Sequence, residues 1–301
     1  MKEARVFIPG HATCFFSPQL TEDPLTTGSL GAGFCTKLGT LVTLKSHPNS
    51  DNDIRVYFAS SLRKITPELV DAHVSRTAAE LFLERSEIAA FVELHMDLDF
   101  PVGIGLGASA CGALGAVMSL NEVYGTLGTT ELYQLAHIAE VVHRTGLGDV
   151  IAQISGGFET RIAAGAPGIG EVIRYDGIST DVIILTHGFM KTSPVLRNQS
   201  FQSVAESLGK QLLQQFLLEP SASQAAKLGR VFAEKTGLLT EAVRESLEYA
   251  EKSGYPNGSM VLIGNTTFLF VDDSEIAAKK LKLDKRLYYR TAISRSGASI
   301  L

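Results

Sequence analysis

The amino-acid sequence predicts an α+β fold. Two observations carry that reading. Short strands occur in both halves of the chain, as where Val92, Leu94, Met96 and Leu98 alternate with Glu93, His95, Asp97 and Asp99. These strands are mixed with helices without a strict one-for-one alternation, which argues against a doubly wound parallel sheet. The 301 residues suit two domains. Their boundary is expected near Asp176–Thr180, giving 1–177 and 178–301.

In chain order, Ala4–Ile8 is a short apolar strand that Pro9-Gly10 is expected to end, and His11–Phe16 runs from polar to aromatic. Asp23–Gly33, with glycines at 28, 31 and 33, reads as a turn feeding the strand Cys35–Lys45. A surface turn at His47–Asp53, a strand at Ile54–Ala59 and a helix over 67–85 lead to the alternating strand already described. Next, Gly103, Gly105 and Gly107 alternate ahead of a buried helix carrying Leu114, Val117, Met118, Leu120, Val123 and Tyr124. Thr129 or Thr130 can cap a further helix whose apolar face is Leu132, Leu135, Ala136, Ala139 and Val142, with Gly146 as its stop. Strands at Phe158–Ala163 and Glu171–Tyr175 bracket the turn Gly165–Gly170. The second half reads as a strand at 181–186, three helices (the last two near 221–236 and 240–253), a hairpin of Ser259–Ile263 and Thr267–Val271, a helix at Asp273–Leu283 and a strand at Leu287–Ile293. In the first of the three helices Phe201, Val204, Ala205, Leu208, Leu212 and Phe216 share a face.

Composition excludes several classes. A 45% hydrophobic, 20% charged chain is ordinary for a soluble globular protein. A net charge of −5 argues against a nucleic-acid or anionic-membrane partner. Cys14, Cys35 and Cys111 are an odd set without a C-x-x-C, so free thiols in a reducing cytoplasm are expected. Residues 101–121 carry no charge, but their five glycines make a membrane span a poor reading.

The chemistry concentrates in two stretches. A strand, a glycine loop and a helix start together make an anion site, because the first helical amides have no partners and the dipole end is positive. Phosphate is the natural guest of Pro101–Gly112. The Walker pattern is absent, since no Lys follows these glycines. Gly105-x-Gly107-x-x-Ala110 nominally fits the dinucleotide fingerprint, but the nearest acidic residue, Glu131, falls in a helix and not at the end of a second strand. The second stretch, Thr145–Gly157, sets Asp149 between Gly-Leu-Gly and the apolar run Val150–Ile154. That carboxylate is either a helix N-cap or a base beside the phosphate site, and both roles keep it ionised.

Pro-x-x-x-Gly-Leu-Gly-x-Ser-Ala at 101–110 resembles the second motif of the GHMP kinases, with Ala108 in place of the first residue of the usual Ser-Ser pair. Pro9–Phe16, Thr27–Gly33, Thr145–Val150 and Ser259–Thr266, taken in order, resemble the pantoate kinase family of archaeal coenzyme A synthesis. Mevalonate kinase is a poorer match, because its first motif has Lys where this chain has His11.

The resemblance implies an N-terminal domain like ribosomal protein S5 domain 2, a ferredoxin-like C-terminal domain, and a cytoplasmic enzyme that is often a homodimer. It also implies ATP-dependent, Mg²⁺-dependent phosphorylation of pantoate to 4-phosphopantoate. Pro101, Gly103, Gly105, Leu106, Gly107, Ala108, Ser109 and Ala110 would wrap the nucleotide phosphates. Ser109 and Glu140 would hold Mg²⁺, and Asp149 would accept the proton of the attacking hydroxyl. For the acceptor, Arg161 suits a carboxylate because a guanidinium binds one bidentately, while His11 and Ser29 could read hydroxyls. A related kinase for shikimate or homoserine, a catalytically silent nucleotide-binding regulator and an NAD-dependent oxidoreductase stand as alternatives. Assays of ADP release over a panel of hydroxy acids, and of NADH binding, separate them.

Overall fold

Glycine spacing along the first two strands shapes the larger sheet of the computed structural model, which describes residues 1–190 and 192–301. Strands β1 (Lys2–Gln19) and β2 (Gly28–Pro48) form one long antiparallel hairpin. The expectation that Pro9-Gly10 ends the first strand is therefore corrected, and the turn expected over 23–33 is confined to the residues before Gly28. Irregularities between Pro9 and His11 and between Thr13 and Phe15 let the strand continue past a residue that cannot donate a hydrogen bond. The glycines at 31 and 33 serve close approach: a Cβ at Gly31 would lie 2.2 Å from the Phe15 carbonyl, and one at Gly33 2.4 Å from His11 Nε2.

Strands β3 (Asp53–Ser60), β4 (Ile65–Leu69) and β5 (Ala90–Leu98) extend this sheet in the order β1-β2-β5-β3-β4, with β3 and β5 parallel. The helix expected over 67–85 begins only at His73, because the segment holding Pro67 is taken as an exposed edge strand. Helix α1 (His73–Arg85), α2 (Ala108–Tyr124) and α3 (Thr129–His143) pack together, and every residue of α2 from Ala110 to Leu120 is buried. Helix α3 stops at Arg144, which takes the left-handed conformation (φ 55°) that was expected of Gly146. Short α4 (Asp149–Ser155) then leads to β6 (Phe158–Ala163), paired with the start of β2, and to β7 (Glu171–Tyr175).

The smaller sheet is wholly antiparallel. Its strands β8 (Asp181–Thr186), β9 (Gly258–Val261), β10 (Thr266–Val271) and β11 (Tyr288–Ala292) lie in the order β11-β8-β10-β9. Helices α5 (Thr192–Leu196), α6 (Gln199–Leu218), α7 (Ala222–Lys235) and α8 (Glu241–Lys252) connect β8 to β9, and α9 (Ser274–Lys280) connects β10 to β11. That order and connectivity give the ferredoxin-like arrangement. The chain then returns to the first sheet, where β12 (Ser299–Ile300) pairs with β1, a strand the sequence pattern was too short to announce.

Aromatic side chains join the two sheets. Phe34 of β2 packs on Phe268 and Phe270 of β10 with centroids 5.2 and 5.0 Å apart, while Phe15 and Phe16 of β1 meet Phe216 of α6 and Phe232 of α7. Helix α6 lies so close to β1 that a Cβ at Gly209 would fall 2.2 Å from the Phe16 carbonyl. Gly209→Ala should therefore reverse the usual sign of a helix-interior glycine replacement. In place of the ordinary gain of about 1 kcal/mol, overpacking should cost about 1–3 kcal/mol. Chemical denaturation would measure it, and a stabilised variant would refute the close approach.

Candidate active site

Gly103, Gly105 and Gly107 all adopt positive φ (88°, 88° and 65°), which explains their alternation at positions where a side chain would be strained. The loop they form ends on Gly107, the residue capping α2. Among the described residues, the amides of Gly105 to Ala110 meet no acceptor, as expected of a helix start open to a ligand. This loop borders a cleft of about 890 Å³. Thr145–Asp149 lines the cleft too, as do Thr13, Phe16 and Ser29 from the long hairpin and Phe189, Met190, Leu262 and Ile263 from the second half.

Beside the helix start, Ser109 Oγ donates to Glu140 Oε1 at 2.5 Å, and Thr145 Oγ1 donates to the same oxygen at 3.0 Å. Glu140 is buried, and its other oxygen, Oε2, has no hydrogen-bond partner among the described residues. Burial, together with the nearby Asp149 charge, pushes Glu140 up to about 8 against the two hydroxyls and His11, which pull it down. A Cβ on Gly146 would lie 2.2 Å from Glu140 Oε2 and 2.8 Å from Asp149 Oδ2, so glycine there leaves the two carboxylates their room. Among the described residues no group of three His, Cys, Asp or Glu is arranged so that it could hold a metal ion. One hydroxyl and one carboxylate with a spare oxygen is instead the sparse, hard donor set of a cation that keeps water and phosphate as its other ligands.

Asp149 is not an N-cap. Gly148 holds that position, and the Asp149 side chain makes no capping bond. Its Oδ1 lies 2.7 Å from His11 Nδ1, while its side chain is 22% exposed toward the cleft. Behind it runs a buried line of charge: His11 Nε2 lies 3.0 Å from Glu159 Oε1, which also accepts from Arg161 Nη1 at 2.7 Å. Burial works against charge on His11, but Asp149 and Glu159 outweigh it and raise its pKa.

Residues 72–157, which carry the glycine loop, Glu140 and Asp149, match the GHMP kinases N-terminal domain. The pantoate kinase of Thermococcus kodakarensis is 37% identical over 96% of this chain and 94% of its own length. The chain belongs to the pantoate kinase family. The Methanospirillum hungatei member is 31% identical over 98% of this chain and 95% of its own. A solved phosphotransferase related to the CoA biosynthesis pathway superposes with TM-score 0.86 and 34% identity, covering 100% of this chain and 99% of that one. A homoserine kinase from Cytophaga hutchinsonii shares the fold at TM-score 0.69 and 16% identity, covering 100% and 98% of the two chains. With the family fixed, the dinucleotide reading of Gly105-x-Gly107-x-x-Ala110 lapses. Glu131 lies in the first turn of α3, as the sequence indicated.

In this pantoate kinase family member the loop residues Pro101, Gly103, Gly105, Leu106, Gly107, Ala108 and Ser109 all line the cleft, and Ala110 is buried just behind them. Ser109, Glu140 and Asp149 come together. Of the residues expected to meet the acceptor, only Ser29 is on the cleft wall. His11 is fully buried with both ring nitrogens engaged, and is placed to orient Asp149 and not to touch a hydroxyl. Arg161 sits behind Gly148, where a Cβ would lie 2.8 Å from its Nε, and that nitrogen has no partner. Sequence reasoning missed Thr145 and Glu159. Glu159 and Arg161 stand two apart on one strand, a buried-face charge pair that the alternation rule could have flagged.

The raised Glu140 value has a signed consequence. Because the folded protein resists ionising this group, its contribution to stability is whole below the ordinary value of 4.5 and drains away as pH climbs to about 8. Glu140→Gln, which cannot ionise, should then melt higher than the parent at pH 8 without added metal, with the gap closing toward pH 5. Each kcal/mol relieved should raise Tm by about 2–4 °C. A pH-independent difference in melting temperature would show that Glu140 is not held protonated.

Proposed function

We propose that this chain transfers the γ-phosphoryl group of ATP to a hydroxyl of pantoate, giving 4-phosphopantoate for coenzyme A synthesis. The observation that carries the reading is the convergence of Asp149, Ser109 and Glu140 on the glycine loop at one end of the cleft. Phosphoryl transfer asks mainly for positioning and neutralisation of charge, and these parts answer it. The free amides of Gly105–Ala110 and the N-terminal dipole of α2 receive the phosphates. Ser109 and Glu140 are the proposed Mg²⁺ holders, the unpartnered Glu140 Oε2 being the oxygen that a cation satisfies. When bound, Mg²⁺ neutralises phosphate charge and orients the transferred group.

Asp149 Oδ1 is fixed by His11, which leaves Oδ2 to take the proton of the attacking hydroxyl. The acceptor carboxylate goes to the neighbourhood of Ser29 and Arg161. A buried guanidinium N–H without an acceptor is costly, so the orphaned Arg161 Nε favours an anion there. Ser29 Oγ flanks the same point of Gly148, 2.6 Å from where its Cβ would be. Apolar Phe189, Met190, Leu262 and Ile263 offer a surface for the nucleotide base. In this reading residues 1–177 carry the phosphate and acceptor machinery, and 178–301 close the cleft over the nucleotide. All three cysteines are free and buried, in keeping with a reducing cytoplasm. A homodimer belongs to the proposal as well.

Asp149→Asn tests the central assignment. Turnover of pantoate should fall by about 10²–10⁴, the range for a positioned general base, while ATP binding survives. Melting should fall modestly, because the buried His11 loses a charged partner although no helix cap is lost. ADP release over pantoate, shikimate and homoserine, measured on parent and variant, checks substrate and base together. A variant that binds ATP and still phosphorylates pantoate at the parental rate would remove Asp149 from the chemistry, and parental preference for another acceptor would redirect the substrate.

A further inference from the structure

Glu159 is not among the groups that the proposed reaction uses directly, yet the two ends of that reaction meet on its carboxylate. It is fully buried on β6, and its Oε1 receives both Arg161 Nη1 at 2.7 Å and His11 Nε2 at 3.0 Å. The other ring nitrogen of His11 faces Asp149 Oδ1 at 2.7 Å. An ionised carboxylate accepts hydrogen bonds and donates none. With both carboxylates ionised, a ring facing one at each nitrogen carries hydrogen on both as an imidazolium, the direction in which Asp149 and Glu159 push His11. Two cations, His11 and Arg161, then face two anions, Asp149 and Glu159, and the cluster is neutral without solvent. Removing the Glu159 charge would leave two buried cations sharing the single carboxylate of Asp149, a strongly unfavourable arrangement.

We infer that Glu159 is a positioning residue shared by the base and the acceptor contact. Through one oxygen it fixes the His11 imidazolium that aims Asp149 and the Arg161 guanidinium that draws the acceptor's carboxylate from behind Gly148. The inference rests on the reading of Asp149 as base and Arg161 as acceptor contact given above. Its consequence is coupling: an anion arriving at Arg161 competes for the guanidinium with Glu159, and the freed share of Glu159 Oε1 tightens His11 against Asp149. Base orientation thus responds to occupancy of the acceptor site.

Glu159→Gln keeps the shape and removes the charge. Expected is a fall in kcat of about 10–100-fold, the scale seen when a group that orients a functional ligand is removed, together with a rise in KM for pantoate of about tenfold. KM for ATP should stay within about twofold. A merely structural role would lower the active fraction, and so kcat, without separating the two KM values. Joined with His11→Gln, Glu159→Gln should cost no further kcat, and joined with Arg161→Lys it should add nothing to the pantoate KM, because groups acting in one chain are not additive. Multiplicative losses in either pair would overturn the inference.

The single variants Asp149→Asn and Arg161→Lys separate the two levels. If either leaves kcat and the pantoate KM untouched, the underlying reading of the site fails. If both lose function and Glu159→Gln does not, the Glu159 role alone fails. Should Glu159→Gln not fold, the parent protein still decides by ¹⁵N NMR of its histidines, with His11 assigned through His11→Gln. Both His11 nitrogens should be protonated at neutral pH, and pantoate without ATP should shift them. A neutral ring, or no response to pantoate, would refute the coupling.

Discussion

A loop that binds phosphate through its backbone must keep its amides free, so its carbonyls have to be held from behind. Three donors do this. Met190 N bonds the Gly103 carbonyl at 2.9 Å, His11 N bonds that of Leu106 at 3.1 Å, and Gln153 Nε2 bonds that of Gly107 at 3.1 Å. They come from three separate places: the segment after β8, the long strand β1, and the helix that begins with Asp149. A fourth restraint is steric, since the Ile104 carbonyl packs where a Cβ on Gly264 would be, 2.2 Å away. The loop thus reads the relative position of both sheets. This explains why the junction between them holds aromatic rings and close backbone contacts.

The same site accepts large electrostatic costs. Glu140, His11, Glu159 and Arg161 are all buried, and four polar atoms of this region, Glu140 Oε2, Gln153 Oε1, Glu159 Oε2 and Arg161 Nε, have no partner. A core built for stability would use apolar groups of similar volume, because buried ion pairs roughly break even at best. In the proposed function an acceptor anion would complete Arg161 Nε and a cation Glu140 Oε2, so that binding restores stability the free protein gives up.

Much of this was legible in the residues, for physical reasons that differ from place to place. The three alternating glycines and the uncharged run behind them announced an open loop ahead of a buried helix, because glycine takes positive dihedrals most readily and a buried helix dispenses with charge. The α+β class and most element positions followed from period-two and helical patterns. The long hairpin did not, because Pro9 and the glycines at 28, 31 and 33 carry the local signature of turns while tertiary packing uses them as bulges and close contacts. Arg144 taking the left-handed cap in place of Gly146 is a similar override, and it frees Gly146 to sit against two carboxylates. In the site, a motif could pair Ser109, Glu140 and Asp149 with roles, but it could not say which side chains lie behind which. His11 and Arg161 are second in line because β1 and β6 flank β2 at its glycine-rich start, a long-range registration that no local spacing encodes.

The choice of histidine at position 11 follows from that registration. An ammonium there would be a compact charge on a flexible stem, able to neutralise Asp149 but with no fixed second direction. An imidazolium has two N–H groups on opposite sides of a rigid ring, so it can span from the carboxylate at the start of α4 to the one on β6. The span is set by covalent geometry, and its ends are fixed at 2.7 and 3.0 Å. The ring also needs a flat slot, and Gly33 supplies one, since any side chain there would press on Nε2. A glycine on one strand and a histidine on its neighbour therefore act as a unit. Together they convert the close pairing of β1 and β2, which begins as a matter of packing, into a rigid link between Asp149 at the start of α4 and Glu159 on β6.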